Sequence, residues 1–454
     1  MEEEMKFKAL ALGPLDGRYS DIAKKLSPYF SEYALVKNRV FVEIRWLEFF
    51  VKNVLKEESN IEIIKSINEN FDLYAYKRVK KIENITKHDV KAVELYIAEK
   101  LKENNLEALI SFVHIGCTSE DINNCARAIM IKEGLKIWNK TAQNLIYKLY
   151  EISEKNSNVA MLAHTHGQPA TPTTVGKEFA VYVYRMKESL KNIENIKNTA
   201  KFNGATGNYA AISVAYSNEN WMKLNKEFVE KYLGLDFNPA TTQIESHDNV
   251  CHLCDGIRHF NNVLLDLDLD MWTYISMEYF KQIAIKTEVG SSTMPHKVNP
   301  IKFENSEANI DMSNAILVAL SNKLPHSRMQ RDLSDSSSQR NIGLAFGYSI
   351  QAIEQTIEGL ERIEVNKEKL AEELNNRWEV LAEPIQTVLR KYKISDAYDK
   401  LKELTRGKNI EREDIQVFVR NLDMISEKDK KILLGLAPEK YIGYSEEIVK
   451  EILK

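Results

Sequence analysis

The chain has 454 residues, of which 44% are apolar and 28% are charged, and its formal net charge is −4. This length exceeds one hydrophobic core, so two or three domains are expected, and the composition excludes a disordered protein. Lysine and arginine are spread along the chain, so neither nucleic acid nor an acidic membrane surface is an expected partner. The start lacks the apolar core of a signal peptide and no run of about 18 apolar residues occurs, which predicts a cytoplasmic protein outside the membrane.

Three segments can be separated along the chain. Residues 1–115 are expected to form a mostly helical N-terminal domain, residues 116–365 a central domain of long helices, and residues 366–454 a small helical C-terminal domain. Only 17 glycines and 10 prolines are present, which favours long uninterrupted helices over strands and turns. The sequence therefore predicts an all-α protein of three domains.

Two segments of the N-terminal domain carry chemically useful side chains. Residues 15–19 form a turn that presents Arg18 and Tyr19. Residues 86–90 open a helix, with Thr86 as the expected N-cap. Taken alone, a histidine in a first helical turn, here His88, is most simply a solvated residue.

The central domain begins with another helix start, Thr118-Ser119-Glu120-Asp121. Hydroxyl groups that cap the helix and acids that face its positive end would explain this segment without any function. In the alternative explanation, the free N–H groups and hydroxyls at this terminus hold a carboxylate or a phosphate.

Four apolar repeats with alternating steps of three and four residues predict long helices in the central domain. They cover residues 135–152, 175–196, 250–274 and 342–360. One helix is expected to extend over 246–284, roughly 58 Å at about 1.5 Å per residue. Because further apolar residues flank these repeats, more than one face of each helix is expected to be buried, in a bundle that packs against other subunits.

The four cysteines include one pair at C-x-x-C spacing, Cys251 and Cys254, inside the third of these apolar repeats. No second pair provides the remaining ligands of a zinc site, and no strand pattern precedes the pair as in a redox motif. We therefore expect packing residues in a reducing compartment. Neither a metal nor another cofactor is predicted, since no ligand cluster or dinucleotide-binding fingerprint occurs.

Residues 164–170, with the sequence HTHGQPA, precede a helix whose start is marked by Thr171, Pro172 and Thr173. Glycine and proline predict a loop here, which would place both imidazoles outside a helical core. A lone histidine is usually structural, whereas two in one turn beside a helix start leave the structural and catalytic interpretations equally open.

Residues 290–300, with the sequence GSSTMPHKVNP, lie between two helical patterns and cannot be helical themselves. The glycine frees the backbone, and both prolines push the preceding residue out of the helical region. Two hydroxyls, an imidazole, an ammonium and an amide therefore share one loop, where catalytic groups are often found. The alternative is an ordinary polar loop.

Residues 331–340 contain two arginines, Arg331 and Arg340, among four serines. A guanidinium donates hydrogen bonds in pairs and stays charged, which suits it to phosphate or carboxylate. Any single surface arginine is usually just solvated, so the clustering with hydroxyls carries the functional hypothesis.

Together these segments, with Thr165-His166-Gly167-Gln168-Pro169 and Gln243, resemble the adenylosuccinate lyases of the fumarase/aspartase superfamily in motif content and order. The resemblance covers most of the chain and is strongest to the bacterial-type branch. It implies a three-domain fumarase/aspartase-like fold in which the central helix bundle forms the core of a homotetramer. It also implies active sites shared between subunits.

The resemblance implies elimination of fumarate from adenylosuccinate, giving AMP, and from succinyl-aminoimidazole-carboxamide ribotide. It assigns Ser291 as the base and His166 as the acid, with His88 and Lys297 as further catalytic residues. The implied substrate-binding residues are Arg18, Tyr19, Lys87, Asp89, Thr118, Ser119, Thr165, Gln243, Ser292, Met294, Asn299, Asn305, Arg331, Ser336 and Arg340. At position 305 the other branch commonly has arginine where this chain has Asn305.

Two alternatives remain open. Another lyase of the superfamily, acting on argininosuccinate or aspartate, is disfavoured by the phosphate-type arginine segment, and a substrate panel would separate it. A non-catalytic helical scaffold is disfavoured by the presence of Ser291, His166, Lys297 and Arg331, and absence of fumarate release would support it.

Overall fold

The computed structural model describes residues 2–283, 293–294, 296–394, 401 and 410–454, with side chains from Met5 onward. Most of these residues are helical. The first helices in chain order are α1 (Glu2–Leu10), α2 (Ser20–Phe30), α3 (Glu32–Asn53), α4 (Ile61–Glu69), α5 (Leu73–Thr86), α6 (Asp89–Glu103), α7 (Ser119–Lys155), α8 (Val175–Glu194), α9 (Ala210–Ala215) and α10 (Trp221–Glu227). They are followed by α11 (Asp248–Ser276), α12 (Ile301–Lys323), α13 (Ser334–Gln339), α14 (Ile342–Leu360), α15 (Lys367–Asn375), α16 (Ala382–Lys391), α17 (Arg412–Arg420), α18 (Glu427–Leu434) and α19 (Ser445–Ile452).

Three two-stranded sheets interrupt the helices of the described part. The strands are β1 (Ala160–Thr165), β2 (Gln168–Thr174), β3 (Thr199–Ala200), β4 (Asp236–Phe237), β5 (Phe280–Gln282) and β6 (Ile363–Val365). β1 pairs antiparallel with β2 and β5 antiparallel with β6, whereas β3 and β4 are parallel. Since these strands are short and few, the all-α prediction is confirmed.

The chain divides into two compact units, each made of three segments. Unit 1 contains Met1–Ala142, Ser189–Asn262 and Ala308–Ala352, and unit 2 contains the remaining residues. The segments alternate because each of the five longest helices of the central region passes from one unit into the other. The division into three consecutive domains stays a prediction.

The core of unit 1 contains an aromatic cluster built on α3. The indole of Trp46 lies 4.6 Å from the ring of Phe202 and 5.1 Å from that of Phe228, measured between centroids. A buried polar chain joins α7, α14 and α11, because Trp138 Nε1 donates to Ser349 Oγ at 2.8 Å and Ser349 Oγ donates to Asn261 Oδ1 at 2.7 Å. Such satisfied polar pairs fix how the helices are placed against one another.

The predicted apolar repeats form the buried faces of α7, α8, α11 and α14, as expected. Their deeply buried members include Trp138, Leu145, Leu149, Val175, Met186, Ile257, Phe260, Leu264, Met271, Phe346, Ile350 and Ile353. Cys251 and Cys254 are buried, unpaired residues of α11, which confirms them as packing residues.

The prediction of one helix over 246–284 was wrong at its C-terminal end. The helix α11 has 29 residues and stops at Ser276, and Glu278 then adopts a left-handed conformation with φ of 62°. The chain continues into β5, and the buried residues Tyr279, just before this strand, and Phe280, its first residue, extend the apolar pattern beyond the helix. Periodicity could not locate the end because the apolar residues do not stop where the helix does.

The core of unit 2 includes a C-terminal cluster to which α16, α17 and α18 contribute Ile385, Leu389, Val419 and Leu433. The β1–β2 hairpin is tied to this part of the chain by two polar contacts. The hydroxyl of Thr171 donates to the carboxylate of Glu383, and His164 Nε2 lies 3.7 Å from Glu373 Oε1. The C-terminal helices therefore support the hairpin within unit 2.

Within the part of the chain that the structure describes, we find no helix with the length and apolar content needed to span a bilayer. The same residues contain no group of three or more His, Cys, Asp and Glu side chains placed to hold a metal ion.

Candidate active site

The predicted site residues are distributed over both units. Unit 1 contains the residues near positions 18, 88, 118, 243 and 331–340, whereas unit 2 contains Thr165, His166 and those at 294–305. Ser291 and Ser292 lie outside the described residues. The local geometry is therefore given for each unit in turn.

His88 occupies the N-cap of α6, where the sequence predicted Thr86. Its Nδ1 accepts the backbone N–H of Lys91 at 3.1 Å, and the helix begins one residue later, at Asp89. Because Nδ1 is an acceptor, the neutral imidazole carries its proton on Nε2. The ring is 54% exposed, so this N–H is available to a ligand. Lys87, at φ 53°, makes the sharp turn between α5 and α6.

The first turn of α7 is anchored by a buried ion pair. Asp121 Oδ1 lies 3.0 Å from Lys201 Nζ, and both side chains are fully buried. The Asp121 carboxylate also accepts the backbone N–H groups of Thr118 at 2.8 Å, Asn203 at 2.9 Å and Gly204 at 3.1 Å. The acid lies in the first turn of α7 as expected, but its burial against Lys201 was not predicted. It joins the Thr118 turn to the loop that follows β3.

Removing the cation of this pair is expected to destabilise unit 1 strongly. Replacing Lys201 with methionine leaves the Asp121 charge buried and uncompensated, a change that typically costs about 3–5 kcal/mol. We expect the thermal midpoint of unfolding to fall well below that of the wild type. A control variant, Lys136→Met, removes only an exposed lysine of α7 paired with Glu133, so its midpoint should change little. Equal midpoints for both variants would contradict the assignment.

Gln243 lies against the same loop. Its Nε2 donates to the carbonyl oxygen of Ala205 at 3.0 Å. Gly207, at φ 76°, passes so close to the carbonyl oxygen of Thr241 that a side chain would be placed 2.2 Å from it. Glycine is therefore required where the two loops meet. Thr118, Ser119 and Gln243 are thus brought to one region of unit 1.

Glu120 connects two further predicted site segments. Its Oε1 accepts Arg331 Nη1 at 3.1 Å and Asn123 Nδ2 at 2.8 Å. The network continues from Asn123 Oδ1 to Arg39 Nε at 2.8 Å, and from Arg39 Nη2 to Asp89 Oδ2 at 2.7 Å. Burial alone would raise the pKa of Asp89, but the charge and hydrogen bond of Arg39 outweigh it and lower that pKa. Asp89 and Arg331 therefore belong to one polar network whose central members, Arg39, Asn123 and Glu120, are buried.

The segment that contains Ser336 is held from two sides. Arg127 Nη2 donates to Ser336 Oγ at 2.9 Å. On the other side, His247 Nε2 lies 3.3 Å from Asp335 Oδ2, and both side chains are about 3% exposed. Arg340 is paired with Glu32.

Arg18 and Tyr19 lie between α1 and α2, where Arg18 is exposed.

His166 lies at the tip of the β1–β2 hairpin in unit 2. Thr165 pairs with Gln168, and the two residues between them have positive φ values of 54° for His166 and 70° for Gly167. This is the geometry of a two-residue type I′ turn, in which glycine is favoured. The predicted loop is limited to these two residues, because the residues on either side form β1 and β2. The strands were not predicted, because the Thr- and Pro-rich β2 lacks the alternation typical of strands. The side chains of Thr165 and His166 are exposed.

The helix after the hairpin starts later than predicted. Its first residue is Val175, and Thr174 Oγ1 accepts the N–H of Lys177 at 3.1 Å. The residues expected to mark the start, Thr171 to Thr173, belong to β2. A threonine therefore caps the helix, but it is Thr174, one to three residues after the expected start.

The end of the 290–300 segment leads directly into α12. Lys297 N donates to the carbonyl oxygen of Met294 at 3.0 Å, and both side chains are exposed. Gln282 Nε2 donates to the carbonyl oxygen of Val298 at 2.6 Å. Asn299 immediately precedes Pro300, and Asn305 lies in the second turn of α12, where it is partly buried. Within unit 2, β5 thus fixes the backbone beside Lys297.

Sequence analysis missed five charged or titratable residues that support these segments: Arg39, His114, Arg127, Lys201 and His247. The Nδ1 of His114 donates to Glu43 Oε1 at 2.6 Å, and its Nε2 lies 3.9 Å from Glu94 Oε1. No local pattern could reveal this, because the partners are 71 and 20 positions away. Burial would lower the pKa of His114, but the hydrogen bond and charge of Glu43 outweigh it and raise that pKa.

The raised pKa of His114 predicts a pH-dependent stability just upstream of Thr118. Its contribution is fully present below the unfolded pKa of about 6.5 and is lost as pH rises through the higher folded pKa. The facing groups are Glu43, Glu94 and Asp121. We therefore expect the thermal midpoint of wild type to exceed that of His114→Gln most at pH 6, and the difference to shrink towards pH 9. A difference that stays constant with pH would contradict this.

Two family models match the chain. One, described as Lyase, matches residues 17–313, and the other, described as Adenylosuccinate lyase C-terminal, matches residues 327–442. The chain is 45% identical over 448 residues to the adenylosuccinate lyase of Legionella pneumophila, which covers 97% of this chain and 98% of that protein. It is 44% identical to the adenylosuccinate lyase of Escherichia coli K12, over 97% of this chain and 98% of that protein.

Among solved structures, the fold is similar to that of a fumarate lyase from Mesorhizobium sp. BNC1. The TM-score is 0.77 at 17% sequence identity, covering 95% of this chain and 97% of the other. A β-carboxy-cis,cis-muconate cycloisomerase from Acinetobacter calcoaceticus gives a TM-score of 0.73, also at 17% identity and over 95% and 97% of the two chains. At this level of identity the likeness establishes the fold alone.

Proposed function

This chain belongs to the adenylosuccinate lyase family, and from that premise we propose that it eliminates fumarate from adenylosuccinate and leaves AMP. The observation that carries the proposal is the network in unit 1 that joins Asp89, Glu120 and Arg331. It brings two implied substrate-binding segments, far apart in sequence, to the first turn of α7. The second proposed substrate, succinyl-aminoimidazole-carboxamide ribotide, carries the same succinylamino group and phosphate.

In the proposed mechanism, Ser291 takes the proton from the carbon next to a carboxylate. The electrons of that C–H bond first move onto the carboxylate. They then form the double bond of fumarate when the carbon–nitrogen bond on the opposite face breaks and His166 protonates the departing nitrogen. An imidazole suits this step because it titrates near neutral pH. The intermediate carries two negative charges on one carboxylate, so donors arranged in advance are needed. Lys297 and Asn299 are proposed to supply them.

His88 is proposed to hold the substrate through its Nε2–H. Its Nδ1 is occupied by the N–H of Lys91, which fixes the neutral tautomer and aims a donor away from the helix. A donor in this position suits a carboxylate or a carbonyl oxygen of the substrate. Lys87 and Asp89 flank it at the same helix start.

We propose a homotetramer in which each active site takes residues from several subunits. In unit 2, large apolar side chains on four of the long helices are 47–65% exposed in the single chain. They are Tyr147 on α7, Tyr184 on α8, Leu269 and Trp272 on α11, and Ile301 on α12. Large apolar side chains exposed on long helices are expected where other chains cover the surface. The four free cysteines support the proposed cytoplasmic location, because thiols stay reduced there.

The test of the reaction is ultraviolet detection of fumarate and AMP after adding adenylosuccinate to the purified protein. Argininosuccinate and aspartate serve as competing substrates. Fumarate from adenylosuccinate alone is the expected result. Preferential cleavage of another substrate would favour another lyase of the superfamily, and no fumarate from any of them would favour a non-catalytic scaffold.

The arginines at 18, 331 and 340 are proposed to hold the phosphate of the substrate. We expect Arg18→Ala, Arg340→Ala and the double variant Arg331→Met/Glu120→Gln each to weaken AMP binding by about 1.5–3 kcal/mol, the usual value of one hydrogen bond to a charged group. The double variant avoids leaving the Glu120 carboxylate buried without its partner. Calorimetry with AMP and adenosine measures the effect. As control, Arg258→Ala removes a partly exposed arginine of α11 paired with Asp255. Equal losses for AMP and adenosine would make these arginines structural.

A further inference from the structure

Arg127 is a buried cation on α7 that lies against the segment containing Ser336. The residue is 6% exposed. Its Nη2 donates to Ser336 Oγ at 2.9 Å and to the carbonyl oxygen of Ser336 at 3.2 Å. Its Nη1 is buried and has no hydrogen-bond partner in the described part of the chain. Both bonds of this guanidinium therefore go to one serine.

The charge of Arg127 is only partly compensated. No carboxylate among the described residues lies within ion-pair distance of it. The charges near it are Glu120 and Asp335, which favour the cation, and Arg39 and Arg340, which oppose it. A buried guanidinium remains protonated and is costly unless an anion or hydrogen bonds compensate it. Burial, the largest influence, together with Arg39 and Arg340 lowers the pKa of Arg127 despite Glu120 and Asp335. A bound anion would therefore favour the cation.

The hydrogen bonds of Arg127 decide what the Ser336 hydroxyl can do. Since Ser336 Oγ accepts an N–H from Arg127, its own proton is left for another acceptor. Within the residues that the structure describes, Ser336 Oγ donates to no group. The hydroxyl is therefore held as an unused donor, with a positive charge behind it.

Building on the proposed function, we propose that Arg127 is a positioning residue of the phosphate site: it orients the Ser336 hydroxyl as a donor to the phosphate of the nucleotide. Arg127 itself does not touch the ligand, because its free nitrogen is buried. The residue acts through Ser336, and its loss affects ligands that carry a phosphate and spares those that do not.

The test measures dissociation constants of AMP and adenosine by calorimetry for wild type, Arg127→Gln, Arg127→Lys, Ser336→Ala and Arg127→Gln/Ser336→Ala. We expect Arg127→Gln to weaken AMP binding about 10- to 100-fold, as for one charge-assisted hydrogen bond, and adenosine binding hardly at all. Arg127→Lys should retain most of the affinity, since an ammonium can still donate to Oγ. The double variant should bind AMP as strongly as whichever single variant binds it less tightly, because both changes remove the same interaction.

Lys132→Met is the matched control, since it removes one positive charge from the same helix. Its Nζ donates to the carbonyl oxygen of Gly234 at 2.7 Å, away from the Ser336 segment, so AMP binding should not change. Additive losses in the double variant, equal losses for AMP and adenosine, or a comparable loss in Lys132→Met would overturn the proposal. If Arg127→Gln does not fold, unchanged AMP binding by Ser336→Ala overturns it as well.

The two proposals fail in different ways. Wild-type protein that does not cleave adenylosuccinate but binds AMP in an Arg127-dependent manner contradicts the reaction and supports the positioning role. Wild-type protein that cleaves adenylosuccinate, with AMP binding insensitive to Arg127, contradicts the positioning role alone. For an active enzyme, Arg127→Gln should raise KM with less change in kcat, whereas a general loss of structure would lower both activity and thermal midpoint.

Discussion

Replacing Ser291 with alanine should lower kcat by about 10²–10⁴-fold, the range for loss of a general acid or base. The affinity for adenylosuccinate should stay nearly unchanged. The physical reason is that the proposed base acts only when the proton leaves, so its contribution is made in the transition state and not in binding. Stopped assays of fumarate give kcat, and calorimetry on the slow variant gives the dissociation constant.

Ser292→Ala is the matched control for this experiment. The two serines are adjacent and have the same side chain, so a general effect of losing a hydroxyl from this segment would appear in both variants. We expect Ser292→Ala to change substrate affinity more than kcat, in keeping with its implied binding role. Near-normal activity in Ser291→Ala would move the base to Ser292 or His296.

Mixing two inactive variants, His166→Gln and Ser291→Ala, should restore activity to a level about 10²-fold or more above either parent after dissociation and reassociation. If the acid and the base of one site come from different subunits, some hybrid sites receive neither substitution. Such sites regain the full contribution of both groups, which is about 10²–10⁴-fold for each. The exposed position of His166 at a hairpin tip is what this arrangement requires.

The controls separate complementation from simple reactivation. Each variant is taken through dissociation and reassociation alone, and the two are also mixed without dissociation. Neither treatment should raise activity. Well-mixed hybrids without activity, or a fully active monomer in sedimentation, would contradict subunit-shared sites.

The network around Glu120 also bears on how mutations in this enzyme are interpreted. Asp89 and Arg331 are connected through Arg39, Asn123 and Glu120. Buried polar networks of this kind do not respond additively, because each member orients the next. Substitution of any of these five residues is therefore expected to disturb both substrate-binding segments, and double-variant cycles are needed to divide the effect between binding and support.

Much of this protein follows from its sequence alone. The apolar repeats at steps of three and four determined the long helices and the buried faces of α7, α8, α11 and α14, because helical periodicity depends only on local geometry. The motifs around His88, His166, Lys297 and Arg331 carried the resemblance to the family, and that resemblance implied the reaction proposed. These are properties of neighbouring residues, so no tertiary information is needed to detect them.

Only the tertiary structure decided the partners of those residues. Asp121 was expected at a helix start, but only the structure shows that it is fully buried against Lys201, 80 positions away. His88 rather than Thr86 caps α6, and Arg127 meets Ser336 across 209 positions. The tertiary structure also decided where helices end, because β5 continues the apolar pattern after α11 has stopped. Burial and pairing depend on which distant segments fold together, and a sequence specifies these contacts only through the energy of the whole fold.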